Sequence, residues 1–414
     1  MTKGFKAAAW ALLGAAWAVA AAAGSVPAGK PESVGLSSER LQRVHTAMQA
    51  QIDAGNIAGV VTLVARRGRI AHLEAQGFAD IGTRTPMRID NIFGLASMSK
   101  PITGVAIMML VESGDIRLND PVSKFIPEFA APAMVAVAKP SGAEGYDLVS
   151  ASRAITVGDL LKHGSGLLSG GLGNRIADKS SPRVPTDTLA TYIPKLGGAP
   201  LDFQPGTLWR YSGLAGFDVL SRIVEVVSGQ TYDKYLEERL FKPLGMKDTG
   251  FSFNDARAQR VASMHTRRDG KLEVQPRTLD AAFFSGAGGL ASTAEDYLQF
   301  AQMLLNGGEL NGKRFLSPRT IELMTSNHTG DMVNGQFGRP AHGMGFGLSM
   351  QVVQDPVAAE LAVSKGAYGW AGGTGVSFWI EPAEQMVTIF FIQGGQAALG
   401  HAVFENAVRQ AIVN

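Results

Sequence analysis

The strand-forming stretches of this chain lie towards its two ends, and that placement constrains the fold more than any other feature. Gly59-Val60-Val61-Thr62-Leu63-Val64-Ala65-Arg66 is β-branched and apolar, Arg67-Gly68 makes a turn, and Arg69 to Gly77 reads as the returning strand. The next clear strands come near the other end, at 343–351, 375–380 and 385–393, with Glu381-Pro382 turning the chain between the last two. Between them the periodicity is helical: Phe217 to Val227, Tyr232 to Leu240 and Thr293 to Asn306 each carry an apolar stripe. Helices are also expected at Ser38 to Ile52, from Thr156 to a break at Gly164, and at Ala397 to Val413. A small hairpin fits Met134 to Val149, and the Gly- and Ser-rich stretch from Ser169 to Pro185 reads as a loop that would lie over a pocket. The arrangement predicts an α+β fold. One mostly antiparallel sheet is built from both chain ends and flanked by helices, with a helical region at about residues 115–290 inserted. No internal repeat or flexible linker divides 24–414, which is expected to be one domain.

The 414 residues are 45% hydrophobic, enough for a sizeable core, and a net charge of +2 points to no nucleic-acid partner. The absence of cysteine excludes disulfides, thiolate metal sites and a lipidated cysteine anchor. Lys3 and Lys6 precede an uncharged run from Ala7 to Ala23, and Ala21-Ala22-Ala23 stands before Gly24-Ser25. That pattern predicts a removed signal peptide over 1–23 and a periplasmic or secreted enzyme. The run is short and alanine-rich for a membrane span, and no later stretch is long enough to be one.

Three constellations carry chemistry. In Gly94-Leu95-Ala96-Ser97-Met98-Ser99-Lys100-Pro101-Ile102-Thr103, Ser97 and Lys100 are one helical turn apart on one face. Pro101 fits only if the helix starts within the preceding turn, which places Ser97 at its positive end. Such a tetrad also occurs on solvated helix faces. Here the flanks Ile92-Phe93 and Val105 to Val111 are apolar, and burial would lower the pKa of Lys100 until it can act as a base. The second constellation is Pro205-Gly206-Thr207-Leu208-Trp209-Arg210-Tyr211-Ser212-Gly213, where a phenol in a turn could relay a proton, or simply pack in the core. The third is Tyr368-Gly369-Trp370-Ala371-Gly372-Gly373-Thr374-Gly375, whose glycines let a strand edge approach a ligand. An N–H there could join that of Ser97 as an oxyanion hole.

In this order, Ser97-Met98-Ser99-Lys100, Tyr211-Ser212-Gly213 and Trp370-Ala371-Gly372 resemble the three motifs of serine β-lactamase-like hydrolases. The match is best to the family VIII carboxylesterases, relatives of class C β-lactamases and DD-peptidases. Leu160-Leu161-Lys162-His163, Gly286-Ala287-Gly288-Gly289 and Phe378-Trp379-Ile380-Glu381-Pro382 extend the resemblance along most of the chain. It implies Ser97 as nucleophile, Lys100 as base, Tyr211 as proton relay, and the N–H groups of Ser97 and Gly373 as oxyanion hole. It implies substrate contacts at Trp370, Ala371 and Gly372, a small-molecule ester as substrate, and no metal or organic cofactor. His163 reads as a helix-end packing residue. Two positions depart from the β-lactamase pattern. Trp370-Ala371 replaces a Lys-Thr pair that favours an anionic substrate, and Gly213 stands where many relatives have Asn. Both favour an uncharged ester over a β-lactam. The expected activity is cleavage of short-chain acyl esters through an acyl-serine. A β-lactamase, a D-alanyl-D-alanine peptidase or an acyltransferase using the same residues is the alternative. No Gly-x-Ser-x-Gly elbow is present, which argues against an α/β-hydrolase.

Overall fold

The computed structural model describes residues 25–131, 133–139, 145–275, 283–336, 338 and 340–414. The expected signal segment 1–23 lies outside the described residues. Eight strands form the main sheet: β1 (Gly59–Arg66), β2 (Arg69–Asp80), β3 (Thr85–Pro86), β4 (Met344–Phe346), β5 (Gln351–Val353), β6 (Tyr368–Ala371), β7 (Ser377–Glu381) and β8 (Met386–Phe391). Their order is β4-β5-β6-β7-β8-β1-β2-β3, and every neighbouring pair is antiparallel. The two ends of the chain meet where β1 pairs with β8, Val61 opposite Phe391. Arg67 and Gly68 turn β1 into β2 with φ of 50° and 71°, the left-handed pair whose twist suits a two-residue hairpin.

Six helices frame this sheet and the site: α1 (Ser38–Asp53), α2 (Ser99–Glu112), α3 (Leu172–Ser180), α4 (Ala215–Ser228), α5 (Ala294–Leu305) and α6 (Ala397–Arg409). Side chains alternate across the strands. Val60, Val64, Met386 and Phe390 turn to one face, where they pack with residues of α1 and α6. Val61, Leu63, Val387 and Ile389 turn to the other and join the large core shared with α2, α4 and α5. Because both faces are covered, β1 is buried along its whole length. This explains why its sequence is continuously apolar rather than alternating. Each such side chain contributes about 1.5–3 kcal/mol of burial free energy.

The insert leaves the sheet after β3 and returns at β4. Its two ends are tied together beside the site, where Phe93-Gly94 pairs with Ala291-Ser292. Besides helices it holds two hairpins, Met134–Ala138 with Tyr146–Ser150 and Met264–Arg268 with Lys271–Gln275, so the description of 115–290 as helical is corrected to mixed. Three other expectations change. Residues 169–185 are not all loop, because α3 forms there. Its start is held by the distant Asp202, whose carboxylate accepts from the N–H groups of Ser169 and Asn174. Residues 343–351 are not one strand but β4, a turn, and the start of β5. Ser349 has φ of 83°, and a Cβ on Gly347 would lie 2.0 Å from the Met324 carbonyl oxygen. The last helix ends at Arg409, since Ile412 bridges to Leu36 and the Val413 N–H bonds to Gly35.

Gly77 in β2 faces Gly59 in β1, has φ of 76°, and leaves room for a Cβ only 2.5 Å from the Ala58 carbonyl oxygen. Backbone cannot yield there without breaking the ladder. Gly77→Ala is expected to cost roughly 2 kcal/mol or more of stability. Urea unfolding of the variant beside the parent chain measures this.

Candidate active site

The site begins with a polar residue placed where the sequence gives it no water. A 3-10 turn, Ala96–Met98, leads directly into α2, and Lys100 is in that helix's first turn, one residue before Pro101. The α2 segment is apolar almost all round and its first ten residues are all buried, so it runs through the core. Lys100 is 0% exposed. Burial drives its pKa down to about 7, although the negative charge of Asp218 pulls the other way. Ser97 is half-buried. The residue before it, Ala96, has φ of 43°, an unusual conformation for a non-glycine that turns the chain sharply into the nucleophile.

The Lys100 amine has three neighbours: the Gly213 carbonyl oxygen at 2.7 Å, the Ala287 carbonyl oxygen at 2.8 Å and Ser97 Oγ at 3.2 Å. A neutral amine has two N–H donors and one lone pair. The two carbonyls can only accept, so they take both donors, and the lone pair is left for the serine hydroxyl. The backbone thus selects the orientation in which Lys100 is a base towards Ser97. Tyr211 approaches the same oxygen, its phenol donating to Ser97 Oγ at 2.7 Å. Lys100 of the first motif and Tyr211 of the second therefore converge on Ser97 Oγ.

Tyr211 is held by an aromatic box. Its ring centroid is 4.6 Å from His163, 6.5 Å from Trp209 and 5.6 Å from Trp370. His163 is buried, with φ of 57°, and its Nδ1 accepts from the Ser212 N–H. It does pack at a helix end, but it also fixes the Tyr211 segment. Trp370 is 6% exposed, its ring 5.2 Å from Phe346. Strand alternation turns its side chain inward against Tyr211 and leaves Ala371 exposed. Trp370 therefore acts on the site through the phenol.

The turn after β6 lies against the nucleophile's approach. Gly372 donates to the Val376 carbonyl, and a Cβ on it would sit 2.2 Å from the Leu95 carbonyl oxygen. Thr374 Oγ1 donates to the Gly94 carbonyl at 2.7 Å and anchors the same turn. Gly373 is different: a Cβ there would meet nothing within 4 Å. Beside the site the described residues outline a cavity of about 870 Å³, within the range of small-molecule clefts. Gly94, Ala96 and Gly213 form the end nearest Ser97, and Leu168, Leu214 and Phe283 are among its apolar walls. Trp370, Ala371 and Gly372 do not line this cavity, which draws most of its walls from the insert, with Thr374 and Gln393 added from the C-terminal part.

Two parts of the site were not legible as functional in the sequence. The carbonyls of Gly213 and Ala287 are backbone atoms and carry no residue signature. Asp218 reads as an ordinary acid in the first turn of α4, yet it is 3% exposed and accepts from Ser285 Oγ at 2.6 Å and from the Ala287 N–H at 3.2 Å.

The contrast between the adjacent glycines is testable. Gly372→Ala displaces the backbone leading to Ser97 and is expected to slow Ser97 labelling by a fluorophosphonate probe by about 100-fold. Gly373→Ala is expected to fold normally and label within about tenfold of the parent rate, since its new methyl group meets nothing within 4 Å and the backbone N–H is kept, whereas outright loss of an oxyanion donor costs about 3 kcal/mol.

Comparison with known proteins agrees with this geometry. The Beta-lactamase family profile matches residues 44–409. Protein Rv1367c of Mycobacterium tuberculosis is 34% identical over 354 residues, covering 82% of this chain and 87% of its own length. Esterase EstB of Burkholderia gladioli is 30% identical over 357 residues, 79% of this chain and 83% of its own. A putative D-alanyl-D-alanine carboxypeptidase of Escherichia coli is 26% identical over 395 residues, 87% of this chain and 83% of its own. Among solved structures, EstCE1, a hydrolase with promiscuous acyltransferase activity, has a TM-score of 0.74 at 27% identity, over 91% of this chain and 99% of that one. With the profile spanning the sheet, the insert and all three motifs, the chain belongs to the β-lactamase family and is a hydrolase of the serine β-lactamase fold.

Proposed function

We propose that this hydrolase is a carboxylesterase acting on uncharged esters with short acyl chains. The observation that carries the reading is the amine of Lys100, stripped of water and held by two carbonyls so that its lone pair meets Ser97 Oγ. Ser97 Oγ attacks the ester carbonyl carbon while Lys100 takes its proton. The N–H groups of Ser97 and Gly373 hold the resulting oxyanion. Collapse breaks the C–O bond, and Tyr211 passes a proton to the departing alkoxide. Water then attacks the acyl-serine, gives its proton back through Tyr211 and Lys100, and releases the acid.

Preference for an ester over a β-lactam rests on the third motif. Trp370 stands where a cation would draw an anionic substrate, and it is turned inward against Tyr211. The cavity beside Ser97, about 870 Å³, has room for a second alcohol beside a short acyl group. An acyltransferase reading shares every residue and is favoured by that same room, with a second alcohol replacing water. The signal-like pattern expected at 1–23 supports a periplasmic or secreted location as part of this proposal.

Burst kinetics with p-nitrophenyl butyrate test the proposal. The parent enzyme is expected to release one equivalent of p-nitrophenol rapidly and then turn over. Ser97→Ala is expected to lose both phases, and nitrocefin and D-alanyl-D-alanine peptides to be cleaved at least about 100-fold more slowly than the ester. Faster cleavage of nitrocefin would reverse the assignment. Neutral Lys100 is the working form, so activity is lost as pH falls. The acid limb of kcat/KM is expected near pH 7, the value to which burial lowers this amine, with a tenfold fall per unit below it.

A further inference from the structure

Among the buried ionisable groups that the ester-cleaving scheme leaves unused, Asp218 is the one whose charge acts on Lys100. Asp218, in the first turn of α4, is among the residues that line the cavity beside the site. An acid near a helix start is favoured by the helix dipole and usually faces water, but this one is 3% exposed. Its Oδ1 receives the Ser285 hydroxyl and the Ala287 N–H. The Ala287 carbonyl, one peptide unit further on, takes a proton of the Lys100 amine. The loop between them is tight. A Cβ on Gly286 would fall 1.9 Å from Ser221 Oγ, and the Leu290 N–H bonds to Ser99 Oγ. The carboxylate is thus the anchor of one of the two loops that supply an acceptor to the base.

We infer that Asp218 is a positioning residue for Lys100: it holds the Ser285–Gly289 loop so that the Ala287 carbonyl fixes the amine's orientation, and its charge sets how readily the amine gives up its extra proton. The inference rests on the proposed serine–lysine chemistry and adds a residue to it. Other ionisable groups around the carboxylate are Arg183 and Tyr192 on the cavity wall and Tyr232 on the helix after α4, while Tyr211 approaches the amine from the far side. Burial raises the Asp218 pKa to about 6, against the Ser285 and Ala287 hydrogen bonds and the charge of Lys100, which lower it. It therefore carries its charge across the range in which Lys100 deprotonates. A negative Asp218 stabilises the ammonium form, so its removal lets Lys100 become neutral at lower pH.

The test compares Asp218→Asn, Asp218→Ala and Ser285→Ala in full pH profiles of p-nitrophenyl butyrate cleavage, with thermal unfolding of each variant. Asp218→Asn removes the charge and keeps an acceptor. Its acid limb is expected to move down by on the order of one pH unit. Asp218→Ala removes the anchor as well, and its plateau kcat is expected to fall at least about tenfold below that of the Asn variant. Ser285→Ala leaves the carboxylate in place but raises its pKa, so its limb is expected to move in the same direction by less. That variant keeps the test open if both changes at 218 prevent folding. A limb that stays in place or moves up in the folded variants overturns the inference, as does equal kcat for Asn and Ala. Such a result with Ser97→Ala inactive leaves the esterase assignment standing, whereas an active Ser97→Ala removes that assignment instead.

Discussion

The structure depends on keeping one lysine amine dry. Moving a charged ammonium into the core is costly, and the protein avoids most of that cost by letting Lys100 become neutral. What remains is a polar group that must be satisfied without water. Two carbonyls from different parts of the insert, Gly213 and Ala287, do this, and in doing so aim the lone pair at Ser97. Stability and reactivity have the same origin here. The hydrogen bonds that make burial tolerable are those that leave the amine basic towards a single partner.

That arrangement explains why the chain is built as a sheet with an insert. α2 has to be surrounded by apolar side chains to desolvate Lys100, and the sheet supplies one side of that enclosure through Val61, Leu63 and Ile389. The carbonyls, the phenol and most of the cavity walls come from the insert, whose flanks are tied to each other by the pairing of Phe93-Gly94 with Ala291-Ser292. The turn after β6 closes the remaining side, with Gly372 against Leu95. The turn before α2 and α2 itself carry the nucleophile and its base, and the insert carries the parts that shape what can enter.

The parts of this plan that were legible in the sequence are those written in side-chain type and period. The β1–β2 hairpin, α2 with its early Pro101 and the one-turn spacing of Ser97 and Lys100 follow from local patterns, whereas Tyr211 was singled out as their partner only by the ordered resemblance to the family's motifs. What escaped was written in tertiary contacts. Helix α3 was taken for loop because its start is held by Asp202, some thirty residues on. The 343–351 run looked like one strand because nothing local reveals that Gly347 must pass close to Met324. Trp370 was expected to face the substrate, but the strand's pleat turns it onto Tyr211, a direction fixed only by register. Asp218 and the two carbonyls were invisible for the same reason: their roles exist only once three segments meet.

The central claim is a lysine that is neutral near physiological pH, and it is most directly tested by titrating that amine. NMR of the enzyme carrying lysine labelled with carbon-13 at Cε, with Lys100→Met used for assignment, reads its ionisation without relying on turnover. The account predicts a midpoint near pH 7, the value to which burial lowers this group. A midpoint near the ordinary lysine value of about 10.4 would contradict it, because the amine would then be a buried cation with no lone pair to offer Ser97.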